Sequence, residues 1–147
     1  MTKKTFLFSV MLLFSLSIMA QVRKIPATVT EAFRSRYPHA VNVEWKDKLS
    51  CFEADFELNN SNMVTKFSAD GNWQSTERDI DFNELPATVK DGFSKSKCAD
   101  WQVKSIIEVQ TMAEPLEYKL TVKKGSRQKK NLVFASNGKL IKEGVTL

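Results

Sequence analysis

The chain has little of what catalysis usually requires. Its 147 residues contain one histidine and two cysteines. A catalytic zinc centre usually takes three protein ligands, whereas His39 has neither a second imidazole nor an HExxH spacing around it. No Gly-x-Ser-x-Gly elbow is present, so a serine–histidine–acid triad would have to recruit that one turn histidine. Charge of one sign is also scarce: 22 basic residues against 17 acidic ones leave a formal charge of +5, too mild a balance for a nucleic-acid surface. The one long apolar stretch, Phe6 to Ile18, is interrupted by serines and is shorter than the roughly 20 residues a membrane span needs. These shortages point away from an enzyme, from a metal or other cofactor, from nucleic acid and from a stable membrane span.

What is present begins with an address. Lys3 and Lys4 precede the apolar stretch, and Ile18-Met19-Ala20 ends it with the small residue that signal peptidase requires. Residues 1–20 therefore read as a secretory signal cut after Ala20, leaving 127 residues with a formal charge of +3 in the periplasm or outside the cell. No cysteine follows the cut to carry a lipid. The remaining chain has an ordinary globular composition, and halves of about 60 residues would be marginal alone, which favours packing them together.

Those halves repeat one another. Ile25-Pro26-Ala27-Thr28-Val29 with Phe33 returns 60 residues later as Leu85-Pro86-Ala87-Thr88-Val89 with Phe93. Phe52 to Leu58 matches Leu116 to Val122 at an offset of 64, and Phe67 to Gly71 matches Phe134 to Gly138 at an offset of 67. The identical Pro-Ala-Thr-Val lies outside any strand pattern, so shared strand periodicity does not account for it. The expected division is 21–81 and 82–147.

Each half reads as a helix followed by strands. Proline suits the first helical position, where its missing N–H costs nothing. Val29, Ala32, Phe33 and Tyr37 share a helix face, and Tyr37-Pro38 stops the helix. Val41, Val43 and Trp45 alternate with polar residues, as do Phe52, Ala54, Phe56 and Leu58. Asn59-Asn60-Ser61-Asn62 is turn chemistry before a third strand ending near Phe67, and Asp70-Gly71-Asn72 turns into a fourth strand through Trp73 and Ser75. The second half predicts a helix over 87–97 and strands over 101–109, 116–122, 132–134 and 140–143. The fold class is α+β, a tandem duplication in which each copy packs a short helix on a roughly four-stranded antiparallel sheet.

The run Pro-x-x-Val-x-x-Ala-Phe from Pro26, Tyr-Pro-x-Ala-x-x-x-x-Trp from Tyr37 to Trp45, and Phe-x-x-Asp-Gly-x-Trp from Phe67 to Trp73 resembles the PepSY-like, β-lactamase-inhibitor-like family. The second half departs from the pattern, with Gly92 for the helix alanine, Cys98 near the place of the Tyr-Pro stop, and Asn137-Gly138-Lys139-Leu140 at the last hairpin. The resemblance implies small secreted or periplasmic proteins of tandem helix-plus-sheet units, with no established enzymatic activity. It carries no functional residues over to this chain.

The remaining candidates divide by position. Asp70-Gly71-Asn72 and Asp79-x-Asp81-x-x-Glu84 hold parts of a calcium loop without its spacing. Cys51 and Cys98 could pair in an oxidising compartment or stay as free thiols. Trp45 and Trp101 share phase with core valines, whereas Trp73 follows a hairpin and is expected to be partly exposed. The basic run from Lys123 to Lys130 reads as a solvated hairpin tip that could also meet an anionic partner.

The residues expected to bind lie on the sheet face that the helices leave open. They are Glu53, Asp55, Glu57 and Trp73 in the first half and Glu117, Lys119, Thr121 and Lys123 in the second. The resulting reading is a non-enzymatic extracytoplasmic binding or inhibitor-like protein that docks a protein or peptide partner of the envelope on this face. The competing readings are a self-associating structural or assembly component of the envelope and a small hydrolase or metal-binding protein.

Overall fold

The computed structural model describes residues 24–112 and 115–145. The expected signal segment, residues 1–20, lies outside them. The first helix, α1, spans Ala27–Arg36, one residue later than a proline at the first helical position would give. Pro26 instead takes the extended N-cap conformation, and its carbonyl accepts from the amides of Val29 at 3.1 Å and Thr30 at 3.2 Å. Val29 and Phe33, four residues apart and so on one face, are its buried side chains. Four strands follow: β1 (Val41–Asp47), β2 (Phe52–Leu58), β3 (Ser61–Phe67) and β4 (Trp73–Asp79). After a short 3-10 turn at Phe82–Glu84, α2 (Ala87–Ser94) buries Val89 and Phe93 and ends three residues before the predicted limit. β5 (Gln102–Thr111), β6 (Glu117–Lys124), β7 (Gln128–Ala135) and β8 (Leu140–Val145) complete the order.

The expectation of two separate four-stranded sheets is corrected. One antiparallel sheet of eight strands runs in the order β1 to β8. The join is the pairing of β4 with β5, from Ser75 opposite Thr111 to Asp79 opposite Ile107, extended by the Ile80 amide donating to the Ile106 carbonyl at 3.1 Å. Two separate sheets would leave both of these strands with an open row of amides and carbonyls, and pairing them satisfies both rows.

Both helices cover the same face. Phe56, Met63, Arg78, Glu108, Tyr118 and Phe134 lie opposite one another in successive strands and so share a side of the sheet. On that side are two hydrophobic clusters, one of Val29, Phe33, Tyr37, Phe52, Ala54, Phe56 and Phe67 under α1. The other gathers Val89, Phe93, Ile106, Tyr118, Leu120, Val122, Leu132 and Phe134 under α2. Arg78 and Glu108 occupy the row between them.

Turn chemistry fixes how each helix sits. Asn59 and Asn60, at φ +52 and +63, form the two-residue loop between β2 and β3, the left-handed pair such a hairpin needs. Thr88 Oγ1 donates to the Ser136 carbonyl at 2.6 Å, and Gly138, at φ +84, passes so close to α2 that a Cβ there would meet the Thr88 carbonyl at 2.1 Å. Gly92 has a reason in the same contact, because a Cβ on it would come within 2.1 Å of the Gly138 carbonyl. The glycine that departs from the alanine of α1 therefore makes room for the last hairpin. Under α1, the Tyr37 hydroxyl hydrogen-bonds Thr76, which also accepts from Trp73 Nε1 at 2.8 Å and lies 3.1 Å from Thr65 Oγ1. Thr65 and Thr76 are buried, and this network satisfies their hydroxyls.

Candidate functional site: the open face of the sheet

The residues that alternate with the core build the opposite face. Glu53, Asp55 and Glu57 alternate with buried Phe52, Ala54 and Phe56. Glu117, Lys119, Thr121 and Lys123 alternate with buried Tyr118, Leu120 and Val122. The structure thus brings seven of the eight expected residues onto one face, all half-buried among their neighbours. Trp73 is not among them. It packs against the first core on the helix side, its ring lies 4.0 Å from the Arg36 guanidinium, and its indole N–H is committed to Thr76. The register shift between Lys66 and Phe67 sets Trp73 opposite Phe67, whose side chain is core.

The acidic stripe of the first half is largely neutralised by lysines from adjacent strands. Lys46 of β1 pairs with Asp55, which holds its ammonium above the ordinary lysine range. Glu53 lies 3.5 Å from Lys48 and 3.7 Å from Lys66, and Lys66 reaches Glu77 at 4.0 Å. In the second half Thr121 Oγ1 donates to Asn131 Oδ1 at 2.9 Å, while Lys119 stands opposite Ile107 and Val133.

Sequence reasoning missed the centre of this face. Val64 lies opposite Asp55 and Glu77, and Val109 opposite Glu77 and Glu117. Ile107 and Val133 lie opposite Lys119. All four are half-buried and put apolar side chains on β3, β5 and β7, with Glu77 between Val64 and Val109 and Lys119 between Ile107 and Val133. The signal was in the sequence as adjacent apolar pairs, Met63-Val64, Ile106-Ile107 and Val133-Phe134. Such pairs break the alternation of a strand with one wet face and mark strands with apolar groups on both faces. Towards the outer end of the first half, Asn42, Glu44, Asp55, Glu57, Asn62 and Val64 line a shallow cleft of about 230 Å³. Asn42 stands there at φ +54, in the bulge that shifts β1 against β2.

The other expectations fall elsewhere. His39 is exposed in the turn after α1. Asp81 and Glu84 serve a capping box, in which Glu84 Oε2 accepts from the Asp81 amide at 2.8 Å. Among the described residues, no three His, Cys, Asp or Glu side chains converge as a metal ion requires. Cys51 and Cys98 are both buried and unpaired, and Cys98 belongs to the second core. Among the described residues no helix is long and apolar enough to cross a membrane.

The same architecture occurs in solved structures. A protein from Bacteroides eggerthii, provisionally described as periplasmic, matches with a TM-score of 0.79 at 24% identity, over 84% of this chain and 90% of that one. A DUF2874 family protein from Bacteroides uniformis matches with a TM-score of 0.78 at 24% identity, over 82% and 88% of the two chains. A BLIP-like protein from Bacteroides fragilis gives 0.78 at 27% identity, over 84% and 88%. No curated protein matches the chain. The profile of the family described as beta-lactamase-inhibitor-like, PepSY-like matches residues 52–142, well over half of the sequence. The α+β fold, the resemblance carried by the helix and hairpin motifs and the family match therefore agree: this chain belongs to the beta-lactamase-inhibitor-like, PepSY-like family.

Proposed function

We propose that this protein is a non-enzymatic, extracytoplasmic binding or inhibitor-like protein that docks a protein partner on the open face of its sheet. One observation carries the reading: an eight-stranded sheet with both helices on one side leaves the other side with half-buried Val64, Ile107, Val109 and Val133 interleaved with charged groups, Glu77 and Lys119 among them. A surface that combines apolar contact area with polar and charged groups matches the mixed composition of protein interfaces. The family to which the chain belongs is named for inhibition, which supports a protein partner. Export through a signal cut near Ala20, and an origin by duplication of the units 21–81 and 82–147, belong to the same reading.

Glu53, Asp55, Glu57, Glu117, Lys119, Thr121 and Lys123 are the polar groups around and between these side chains that orient the partner, because exposed charges steer encounter and register more than they add affinity. The test is capture of partners from the native envelope fraction, with Val109→Asp and the Asp55→Lys, Glu57→Lys pair as comparisons. The expected outcome is loss of the captured protein with Val109→Asp and salt-sensitive weakening with the charge reversals. Unchanged capture by both variants, with native melting curves, would sink the proposal. A second reading has its own support, since Glu57 of the first half and Lys119 and Lys123 of the second, which make no salt bridge among the described residues, complement one another in a second copy turned by a two-fold axis. Self-association on a sizing column that the same variants abolish would favour it.

A further inference from the structure

At the outer end of the second half, the β6–β7 hairpin and β5 enclose a cleft of about 440 Å³. Lys104, Lys123, Arg127 and Lys129 line it together with the hydroxyls of Ser105 and Ser126, and no carboxylate does. We propose that this cleft binds a doubly charged tetrahedral oxyanion, a phosphate or sulfate group. The cleft shares Thr121 and Lys123 with the docking face above, and the inference holds whether or not a protein docks there.

Strand register supplies the first argument. Lys123 and Lys129 stand directly opposite each other on β6 and β7, an arrangement in which like charges destabilise a sheet. Ordinary surface design places a carboxylate beside such a pair, and this protein does so for the neighbouring lysines. Lys124 reaches Asp100 at 2.7 Å and Lys130 pairs with Glu143. Among the described residues, Lys104, Lys123, Arg127 and Lys129 make no salt bridge.

Convergence supplies the second. The shift of β5 against β6 between Val103 and Ser105 brings Lys104 to the cleft, and the turn through Gly125, at φ +61, brings Ser126 and Arg127 round to it. Donors thus arrive from β5, β6, β7 and the hairpin tip. A carboxylate has one charge and two oxygens in a plane; a phosphate or sulfate group offers more acceptor oxygens in three dimensions, and charge-assisted bonds to it are the strong ones. The scaffold does not impose cations at such a place, because the cleft on β1 to β3 is lined by Glu44, Asp55 and Glu57.

The probe is inorganic phosphate, compared with sodium chloride at equal ionic strength, read by the thermal melt of the purified protein. Phosphate is expected to raise Tm by a few degrees where chloride does not, since a ligand that binds only the folded state stabilises it by mass action. The double variant Lys123→Gln, Lys129→Gln is expected to melt at or above the parent in chloride, its repulsion relieved, and to lose the response to phosphate. Lys95→Gln, at the C-cap of α2, keeps the response. Co-sedimentation with phosphatidylcholine vesicles with or without phosphatidic acid separates the sources: retention on the acidic vesicles alone, lost in the double variant, makes the group a lipid headgroup, and a phosphate response without retention makes it a soluble ion or ester. Equal effects of phosphate and chloride, or a phosphate response that survives in the double variant, would overturn the proposal.

Discussion

Arg78 of β4 donates from Nε to Glu108 Oε1 of β5 at 3.1 Å, across the strand pair that joins the two halves of the sheet. The same guanidinium reaches Glu84 Oε1 at 3.1 Å, at the approach to α2. Burial, with Glu108 beside it, pushes the Tyr118 phenol above its ordinary value. The seam between the two cores is therefore polar, and its members depend on one another.

Removing one member should cost more than an exposed ion pair would. Arg78→Met is expected to lower stability by about 1–3 kcal/mol, because it leaves Glu108 without its charged donor in a partly buried row. Replacing both, as Arg78→Met with Glu108→Leu, should recover part of that loss. Urea melts of the two single variants and the double variant form the cycle that measures the coupling; strict additivity would show that the contact contributes nothing.

Acid should weaken the fold through carboxylates that the folded chain holds below their ordinary range. Glu84 is lowered first by the Asp81 amide and then by Arg78, Asp100 by its hydrogen bond from Lys124, and Glu143 by that from Lys130. A depressed folded value contributes stability above the unfolded value, near about 4, and loses it as pH falls through the folded value. Tm is thus expected to hold level at mildly acidic pH and to fall below about pH 4. Glu84→Gln should shallow the fall, and an identical profile for this variant would remove Glu84 from the account.

The last hairpin is seated on α2 with no room for a methyl group. Gly138→Ala and Gly92→Ala should each destabilise by about 2 kcal/mol or more, since each added Cβ meets backbone that cannot swing aside. Gly125→Ala is the control: its Cβ would enter open space, leaving only the cost of a left-handed backbone, roughly 1 kcal/mol. Chemical denaturation of the three proteins should rank them in that order.

The two thiols should behave as core groups. Burial pushes the Cys98 thiol above its ordinary value, so the folded state keeps its proton and loses stability as pH rises past the unfolded value, about 8.5. Iodoacetamide near pH 8 is expected to label Cys98 only after denaturant is added, because the thiolate is the reacting form. Dithiothreitol should leave the melt unchanged, and a fall in Tm on reduction would reveal a disulfide.

The elements set by local chemistry were legible in the sequence. Pro26 and Pro86 mark the helix starts to within a residue, and the alternation from Phe52 to Leu58 places the core and open faces correctly. The β4–β5 pairing was not, because Ser75 and Thr111 meet across a helix and a 3-10 turn, and neither carries a pattern naming the other. The open face was half legible. Its charged residues stood out in the alternation, whereas Val64, Ile107, Val109 and Val133 were hidden by the assumption that a solvated face is polar throughout. Trp73 was misplaced because the shift at Phe67 reverses the phase that simple counting from the hairpin gives.

Because the sheet runs in the order β1 to β8, every strand pairs with the strand next to it in sequence. No contact between strands has to wait for a distant part of the chain, and each loop closure is a short one except that across α2. Pairing sequence neighbours keeps contact order below that of a sheet with crossovers, and lower contact order goes with faster folding. A chain delivered from its N-terminus can therefore add one strand at a time to a growing edge, with β4 as a template for the second half as it arrives.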